Sequence, residues 1–517
     1  MSKFREFSRI PLYPWLIASY PSLQLLAHNV TQAGTEEAVR PLLASWLVTT
    51  VLYLLALQLL KDRQRTALLV SLMLVLFFSY GQLYEYLRQS SALGISVGRH
   101  RYLVTVYGLV LVVGTWLVVR SREKLGSSTS WLNALALALL VTPLIQIGSH
   151  EIRQARSSGS SRSPTSAPSR EPLRDIYYII LDGYTRGDAL LEDLRYDNSA
   201  FLTGLERIGF YVAECARSNY ARTDAVLTSA LNMEYKAIIQ EDLIKQGLDP
   251  ALTLTLIEDS SVRERLEELG YKTVAFQTGY DWSNWRDADV YLSAAKHPLA
   301  LGRFSAFEVL FLESTALKLW LDTRYALALT DDHDVGIRYG GHIELQLNIL
   351  DQLPGVATLR EPTFTFAHIL IPHHPYIFGP DGEIRSDPGF FSGEESTPID
   401  DRYQRIGYTG GIEFVNGRIL EIVESLIEDS NPSPIIIIQG DHGLRDDNRF
   451  EVLSAYHFPG PNDPPLYPSI THVNTFRLLF DQYFGTDLGL LPDLSYHEDG
   501  DPTAPIPETA VACVAEQ

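Results

Sequence analysis

The hydrophobic pattern changes its period part-way along the chain. Over the first 150 residues apolar positions come in long runs, at 41–60, 66–84, 102–119 and 131–148. Each run can cross about 30 Å of hydrocarbon at roughly 1.5 Å rise per residue, so each predicts a transmembrane helix. An earlier run, 11–30, is interrupted by Pro14, Pro21 and His28, but its Tyr and Trp residues suit the membrane interface, and it predicts a fifth span. Beyond residue 172 the apolar runs shorten to strand length, at 176–181, 272–277, 363–370 and 434–439, and alternate with segments of helical periodicity such as 253–270 and 409–428. This predicts an α/β domain whose mostly parallel sheet is sandwiched by helices, with ligand sites at the carboxyl ends of the strands.

The expected organisation is a multi-span helical membrane domain at 1–150, a Ser-, Pro-, Gly- and Arg-rich tether at 151–173, a catalytic domain at 174–489 and an acidic, Pro-rich, poorly ordered tail at 490–517. Charge divides the same way. Residues 1–150 hold 13 Lys and Arg against 6 Asp and Glu, whereas the whole chain of 517 residues holds 42 against 63. The acidic remainder would repel a nucleic-acid backbone, which excludes nucleic acid as the main partner. Lys3, Arg5 and Arg9 precede the first run, Lys61, Arg63 and Arg65 follow the second, and Arg120, Arg122 and Lys124 follow the fourth. With five spans these clusters share one side, which the positive-inside rule makes cytoplasmic; Arg88, Arg99 and Arg101 are the exception on an outer loop. The chain is thus expected in the plasma (inner) membrane, N-terminus inside and catalytic domain extracytoplasmic. The helices either anchor only or hold a lipid-linked substrate near the site. Cys215 and Cys513 allow one bridge or two free thiols, and exclude a cysteine-rich zinc site.

Two strand ends carry candidate chemistry. The run IIL leads into Asp182-Gly183, and IIIIQG leads into Asp441-His442-Gly443. Each sets an acidic residue just after a buried strand, with a glycine to turn the chain, and the donor set of carboxylate oxygen and imidazole nitrogen suits zinc or manganese better than calcium. An Asp in such a place is otherwise an ordinary turn or helix N-cap.

These residues resemble the alkaline phosphatase superfamily, in particular the sulfatase-like branch that includes lipoteichoic acid synthases and phosphoethanolamine transferases. The resemblance covers roughly residues 175–485, and the five-span layout is also like that of the synthases. It implies an alkaline phosphatase-like fold and a nucleophile at a helix start, here Thr223 within Ser218-Asn219-Tyr220-Ala221-Arg222-Thr223, with Thr228 and Ser229 as fallbacks. A metal that lowers the hydroxyl pKa and a helix N-terminus that favours negative charge would activate it. The segment His373-His374-Pro375-Tyr376 is similar to the family's His-x-Pro-Tyr, which implies that His374, or next His373, contacts the anionic group; His368 is expected to be structural. The implied metal set is Asp182, Thr223, Asp441 and His442, holding one divalent ion, zinc or manganese before magnesium or calcium. His472 and His457 are weaker candidates, and Arg222 and Arg445 would steady the substrate's oxygens.

Several departures matter. Asp182-Gly183 has one carboxylate where sulfatases have a pair, and an Asp where the synthases have Glu. No second metal segment is visible. Cys215-Ala216-Arg217-Ser218-Asn219 lacks the Cys-x-Pro-x-Arg of formylglycine sulfatases, which sets sulfate esters below phosphate esters. The resemblance therefore implies a phosphate-ester hydrolase or transferase, with transfer of a phospholipid-derived headgroup to an envelope glycan or lipid as one form. The competing reading is a catalytically silent relative that binds a glycan or assembles an envelope complex.

Overall fold

The computed structural model describes residues 10–30, 34–88, 91–92, 95–96, 99–120, 126–157, 172–248, 250–294, 304–327, 335–391, 401–445, 449–460, 465–497 and 505–506. Lys3, Arg5, Arg9, Arg122, Lys124, residues 158–171 of the tether and Cys513 lie outside them. The chain forms two units, Met1–Ser161 with Ala295–His342, and Arg162–Ala294 with Ile343–Gln517. Residues 295–342, expected inside the catalytic domain, thus group with the N-terminal helices. The physical reason is apolar packing: Phe307 is buried with Leu26, Ala27, Ala38 and Ile147.

The first unit contains α1 (Tyr13–His28), α2 (Val39–Leu60), α3 (Arg63–Arg88), α4 (His100–Arg120) and α5 (Gly126–Ser157). Four stretches, Thr35–Leu60, Arg63–Leu87, His100–Arg120 and Thr129–Ser149, are long and apolar enough to cross a membrane. The fifth, α1, has 16 residues, about 24 Å of helix. It is shorter than the others and is tied in by polar contacts. Asn133 on α5 accepts from the N–H groups of Leu12 and Tyr13, both at 2.9 Å, and Trp46 on α2 donates to the Ser19 hydroxyl at 2.8 Å. The last helix, α5, continues to Ser157, into the stretch expected to be tether.

The second unit is built on a seven-stranded sheet. Its strands are β1 (Ile176–Leu181), β2 (Tyr211–Val212), β3 (Lys272–Phe276), β4 (Val290–Leu292), β5 (Thr363–Ile369), β6 (Ile435–Gly440) and β7 (Ser454–His457), in the order β2-β7-β6-β1-β5-β3-β4. The strands β6-β1-β5-β3-β4 run parallel, and β7 is antiparallel to both β6 and β2. All six residues of β1 are fully buried, as a central strand covered on both faces requires. On one face Tyr178 and Ile180 share a core with Phe364, Phe366, Ile437, Leu227 of α6 (Thr223–Asn232) and Phe476 of α8 (His472–Phe484). Between α6 and α8 in sequence lies α7 (Asp401–Asp429).

Register decides where the site can be. Leu181 pairs with Ile369 on one side and with Gly440 on the other, so three adjacent strands end level. Asp182, Asp441 and the segment after Ile369 therefore emerge side by side. Gly440 is required by this crowding, because a Cβ there would lie 2.2 Å from the Tyr184 carbonyl oxygen.

The tail departs from expectation up to residue 497. Leu491, Leu494 and Tyr496 pack with Tyr220, Ala225, Val226, Tyr235 and Val473, and Asp493 Oδ1 accepts from Thr471 N and Oγ1, at 3.0 and 2.7 Å. Apolar side chains with a ready cluster order this stretch despite its prolines; residues 498–504 and 507–517 lie outside the described residues.

Gly440→Ala forces backbone movement at the end of β6. It is expected to cost roughly 1–3 kcal/mol or more of stability, as overpacking does. Denaturant unfolding of the variant against the parent measures this.

Candidate metal centre

Asp182 leaves β1 buried, with its two oxygens in different surroundings. Oδ2 accepts from His368 Nε2 at 3.1 Å, and Oδ1 is buried without a hydrogen bond among the described residues. Asp441 repeats the arrangement at the end of β6. Its Oδ1 accepts from the Gly183 N–H at 2.8 Å, and its Oδ2 is buried without a partner among the described residues. The positive φ of Gly183, +72°, is what points that N–H across the turn; a Cβ there would lie 3.5 Å from His373 and 3.6 Å from His442.

The histidines are set for the same purpose. A carbonyl oxygen can only accept, so His442 Nδ1, 2.9 Å from the Gly443 oxygen, must carry the proton. The same holds for His373 Nδ1, 2.6 Å from the His374 oxygen. With Nδ1 so engaged, each ring leaves its Nε2 as the atom a metal can bind. His442 Nε2 lies 3.6 Å from Asp182 Oδ1 and 3.7 Å from Asp441 Oδ2, the two oxygens that lack hydrogen bonds among the described residues. Asp182, His373 and His442 each offer one ligand atom, all within 4.8 Å of one another.

Such a donor set fits a divalent cation on its own chemistry. Two buried carboxyl oxygens without hydrogen bonds among the described residues are expensive, and a cation beside them removes the expense. Burial, the largest influence on Asp182, raises its pKa, but His373, His368 and His442 together outweigh burial and hold the carboxyl well below its ordinary range. It is therefore a carboxylate, ready to ligate.

The other residues singled out from the sequence fall in different places. Thr223 is the first residue of α6 and half-buried. Its segment is bound to the Asp441-His442 loop through Arg449, whose Nε donates to the Ala221 oxygen at 3.0 Å and whose own carbonyl accepts from Gly443 N at 2.7 Å. Thr228 and Ser229 lie inside α6, fully buried; the Thr228 hydroxyl donates to the Thr253 oxygen and that of Ser229 to the Ala225 oxygen. His374 stands edge-on to Tyr376, with Nε2 buried and unpartnered among the described residues; burial, then the neighbouring His373, lower its pKa to about 4. Arg222 is mostly exposed and pairs with Asp224 at 3.1 Å, and Arg445 is half-buried in the loop after His442.

His472 and His457 are engaged elsewhere. His472 Nε2 donates to the Gly440 oxygen at 2.8 Å, so this ring braces the strand end that carries Asp441; burial lowers its pKa to about 4 and keeps it neutral. His457 Nδ1 donates to the Pro434 oxygen at 2.9 Å, and its ring packs beside Phe210. Neither belongs to the three-residue cluster.

Sequence reasoning gave His368 a merely structural place and ranked His373 as a substrate contact. His368 is a positioning residue: Ser283 Oγ stands 3.4 Å from its Nδ1, and its Nε2 holds Asp182 so that Oδ1 faces the cluster. The available signal was its position in the strand beside β1, opposite Ile180 and two residues before Asp182. Tyr408 was also missed. Its hydroxyl donates to the Gly183 oxygen at 2.6 Å and accepts from the Thr185 N–H at 3.0 Å, fixing the turn from α7.

No family model matches the chain, and no curated protein matches it. Among solved structures, it is similar to the C-terminal periplasmic domain of EptC from Escherichia coli in complex with zinc, at 14% identity and a TM-score of 0.43, covering 67% of this chain and 96% of that one. It is also similar to the integral membrane protein lipooligosaccharide phosphoethanolamine transferase A from Neisseria meningitidis, at 11% identity and a TM-score of 0.35, covering 93% of this chain and 90% of that one. The phosphonate monoester hydrolase of Agrobacterium radiobacter follows at 14% identity and 0.36, covering 60% and 73%. The chain is similar to membrane phosphoethanolamine transferases. Likeness at these scores carries no argument about chemistry, which rests on the donors described above.

His368→Ala frees Asp182 Oδ2 and lets the carboxylate turn. Affinity for zinc, measured by competition with a chromogenic chelator, is expected to fall about 10- to 100-fold while the fold persists. Unchanged affinity would remove His368 from the site.

Proposed function

We propose that the chain is a membrane-anchored, metal-dependent phosphate-ester hydrolase or transferase whose nucleophile is Thr223. The observation that carries this reading is the convergence of Asp182 Oδ1, Asp441 Oδ2 and His442 Nε2, the two oxygens buried and without partners among the described residues, at the level ends of adjacent parallel strands. Asp182, Asp441, His442 and His373 would hold one divalent ion, zinc or manganese by donor type. Bound there, it supplies positive charge that lowers the pKa of a nearby hydroxyl and offsets charge on the transferred group.

The chain's own residues would do the rest. Thr223, at the start of α6, stands where helix N-terminal amides favour negative charge on its oxygen. Asp224 in the same turn would oppose that charge, and its carboxylate is answered by Lys236 at 2.9 Å and Arg222 at 3.1 Å. The Thr223 hydroxyl gives up its proton to solvent and its oxygen attacks phosphorus; the new O–P bond forms as the ester oxygen leaves with its electron pair and is protonated from solvent, and a phosphothreonine results. His374, neutral and with its Nε2 free of other bonds among the described residues, contacts the phosphoryl oxygens or the leaving group. Water then gives hydrolysis, and a sugar or lipid hydroxyl gives transfer. Four membrane-crossing helices favour a lipid-derived donor, an extracytoplasmic site and a glycan or lipid acceptor in the envelope.

The test is turnover of an aryl phosphodiester, with monoester and sulfate-ester counterparts, by the full-length protein in detergent with zinc or manganese. Thr223→Ala is expected to lose activity by about a thousandfold or more with metal still bound, and Thr223→Ser to keep a substantial part. Failure to bind any metal would favour the silent, glycan-binding reading instead.

A further inference from the structure

Residues 304–327 sit in sequence between strands of the soluble domain, yet they belong to the unit of membrane helices. They form two short helices, Ala306–Glu313 and Leu317–Leu327, joined by a three-residue break. The first begins with a capping box, Ser305 with Glu308, and Glu308 also pairs with Arg40 at the start of α2, at 3.0 Å. From there it runs inward along the bundle. Phe307 is buried with Leu26, Ala27, Ala38 and Ile147, and one turn on Phe311 packs against Phe78 of α3 with ring centres 6.0 Å apart.

The break is held against the middle of α3. The Ala316 N–H donates to the Phe77 carbonyl at 2.8 Å, and at Gly81 a Cβ would lie 2.0 Å from the Glu313 oxygen, so only glycine admits this contact. Phe77 lies 11 residues before Arg88, the last residue of α3, a depth of about 16 Å, or half of a 30 Å hydrocarbon layer. The second helix returns along α3 and α4. Lys318 Nζ lies 2.9 Å from Glu85 Oε1, and Asp322 Oδ2 lies 3.0 Å from Nε2 of His100, which opens α4.

Non-helical backbone at such depth is tolerated only if its polar groups are satisfied within the protein. Here they are. Ser314 N donates to Leu310 O, Thr315 N to Leu312 O, Ala316 N to Phe77 O, Leu317 N to Thr315 Oγ1 and Lys318 N to Thr315 O, all at 2.8–3.1 Å. Thr315 is fully buried. The hairpin also carries exposed large apolar side chains: Leu310 is 47% exposed, Leu317 39% and Trp320 47%. The spanning helices expose large apolar side chains as well, among them Val75 and Leu83 of α3.

We propose that residues 304–327 form a re-entrant helical hairpin whose outward face, Leu310, Leu317 and Trp320, rests against phospholipid acyl chains. It is a second membrane attachment, inserted within the catalytic sequence itself, and it rests on the reading of the N-terminal helices as a membrane bundle. The lipid replaces the water that these three side chains would otherwise face, and the ion pairs of Lys318 and Asp322 lie toward the polar end of the hairpin.

The experiment uses the unaltered full-length protein in liposomes of phosphatidylcholine carrying a diazirine near the end of one acyl chain. After photolysis, adducts are mapped by mass spectrometry. Peptides from 304–327 are expected to carry lipid adducts at a density similar to those from α4, with none on the soluble helix Lys236–Lys245. Adducts on α4 and none on 304–327 would overturn the hairpin alone. Adducts on neither would overturn the membrane reading with it.

Discussion

A carboxylate oxygen shut away from water without a hydrogen bond is among the most costly features a fold can keep, and among the described residues this one keeps two of them, both within 3.7 Å of His442 Nε2. Asp182 Oδ1 and Asp441 Oδ2 owe their isolation to the backbone rather than to chance rotamers. The level ends of β5, β1 and β6 bring them together, and each carboxylate is clamped through its other oxygen, by His368 and by the Gly183 N–H. Removing either clamp would let the free oxygen find a partner and dissolve the site. Much of the neighbouring structure serves this arrangement: His472 under Gly440, Tyr408 against Gly183 and Arg449 between the Ala221 and Gly443 segments.

The same constraint accounts for the tautomers. Backbone carbonyls take the Nδ1 protons of His373 and His442, which leaves the Nε2 atom of each ring for a metal.

The strands were readable because long Ile, Val, Phe and Tyr runs bounded by glycine and proline have few alternative conformations, and the four runs noted in the sequence are β1, β3, β5 and β6 within a residue or two. The acidic residues after β1 and β6 were readable because a polar residue after such a run must leave the sheet. His368 was not, since a histidine inside a buried strand has no local signature; only the cross-strand register tells that it reaches Asp182. Residues 304–327 were hidden for a different reason. Two apolar helices of 8 and 11 residues are each too short to register as a span, and their place beside α3 depends on Gly81 and Phe77, more than two hundred residues away. The stretch from Leu491 to Tyr496 was masked by its prolines, although its Leu and Tyr residues had a core to join.

X-ray absorption at the zinc edge of the zinc-reconstituted full-length protein tests the account most directly. It predicts one zinc per chain bound by oxygen and two imidazole nitrogens at about 2.0–2.2 Å, with the imidazole signal halved in His373→Ala. Zinc that stays in an all-oxygen, water-like shell, or an unchanged imidazole signal in that variant, would contradict it.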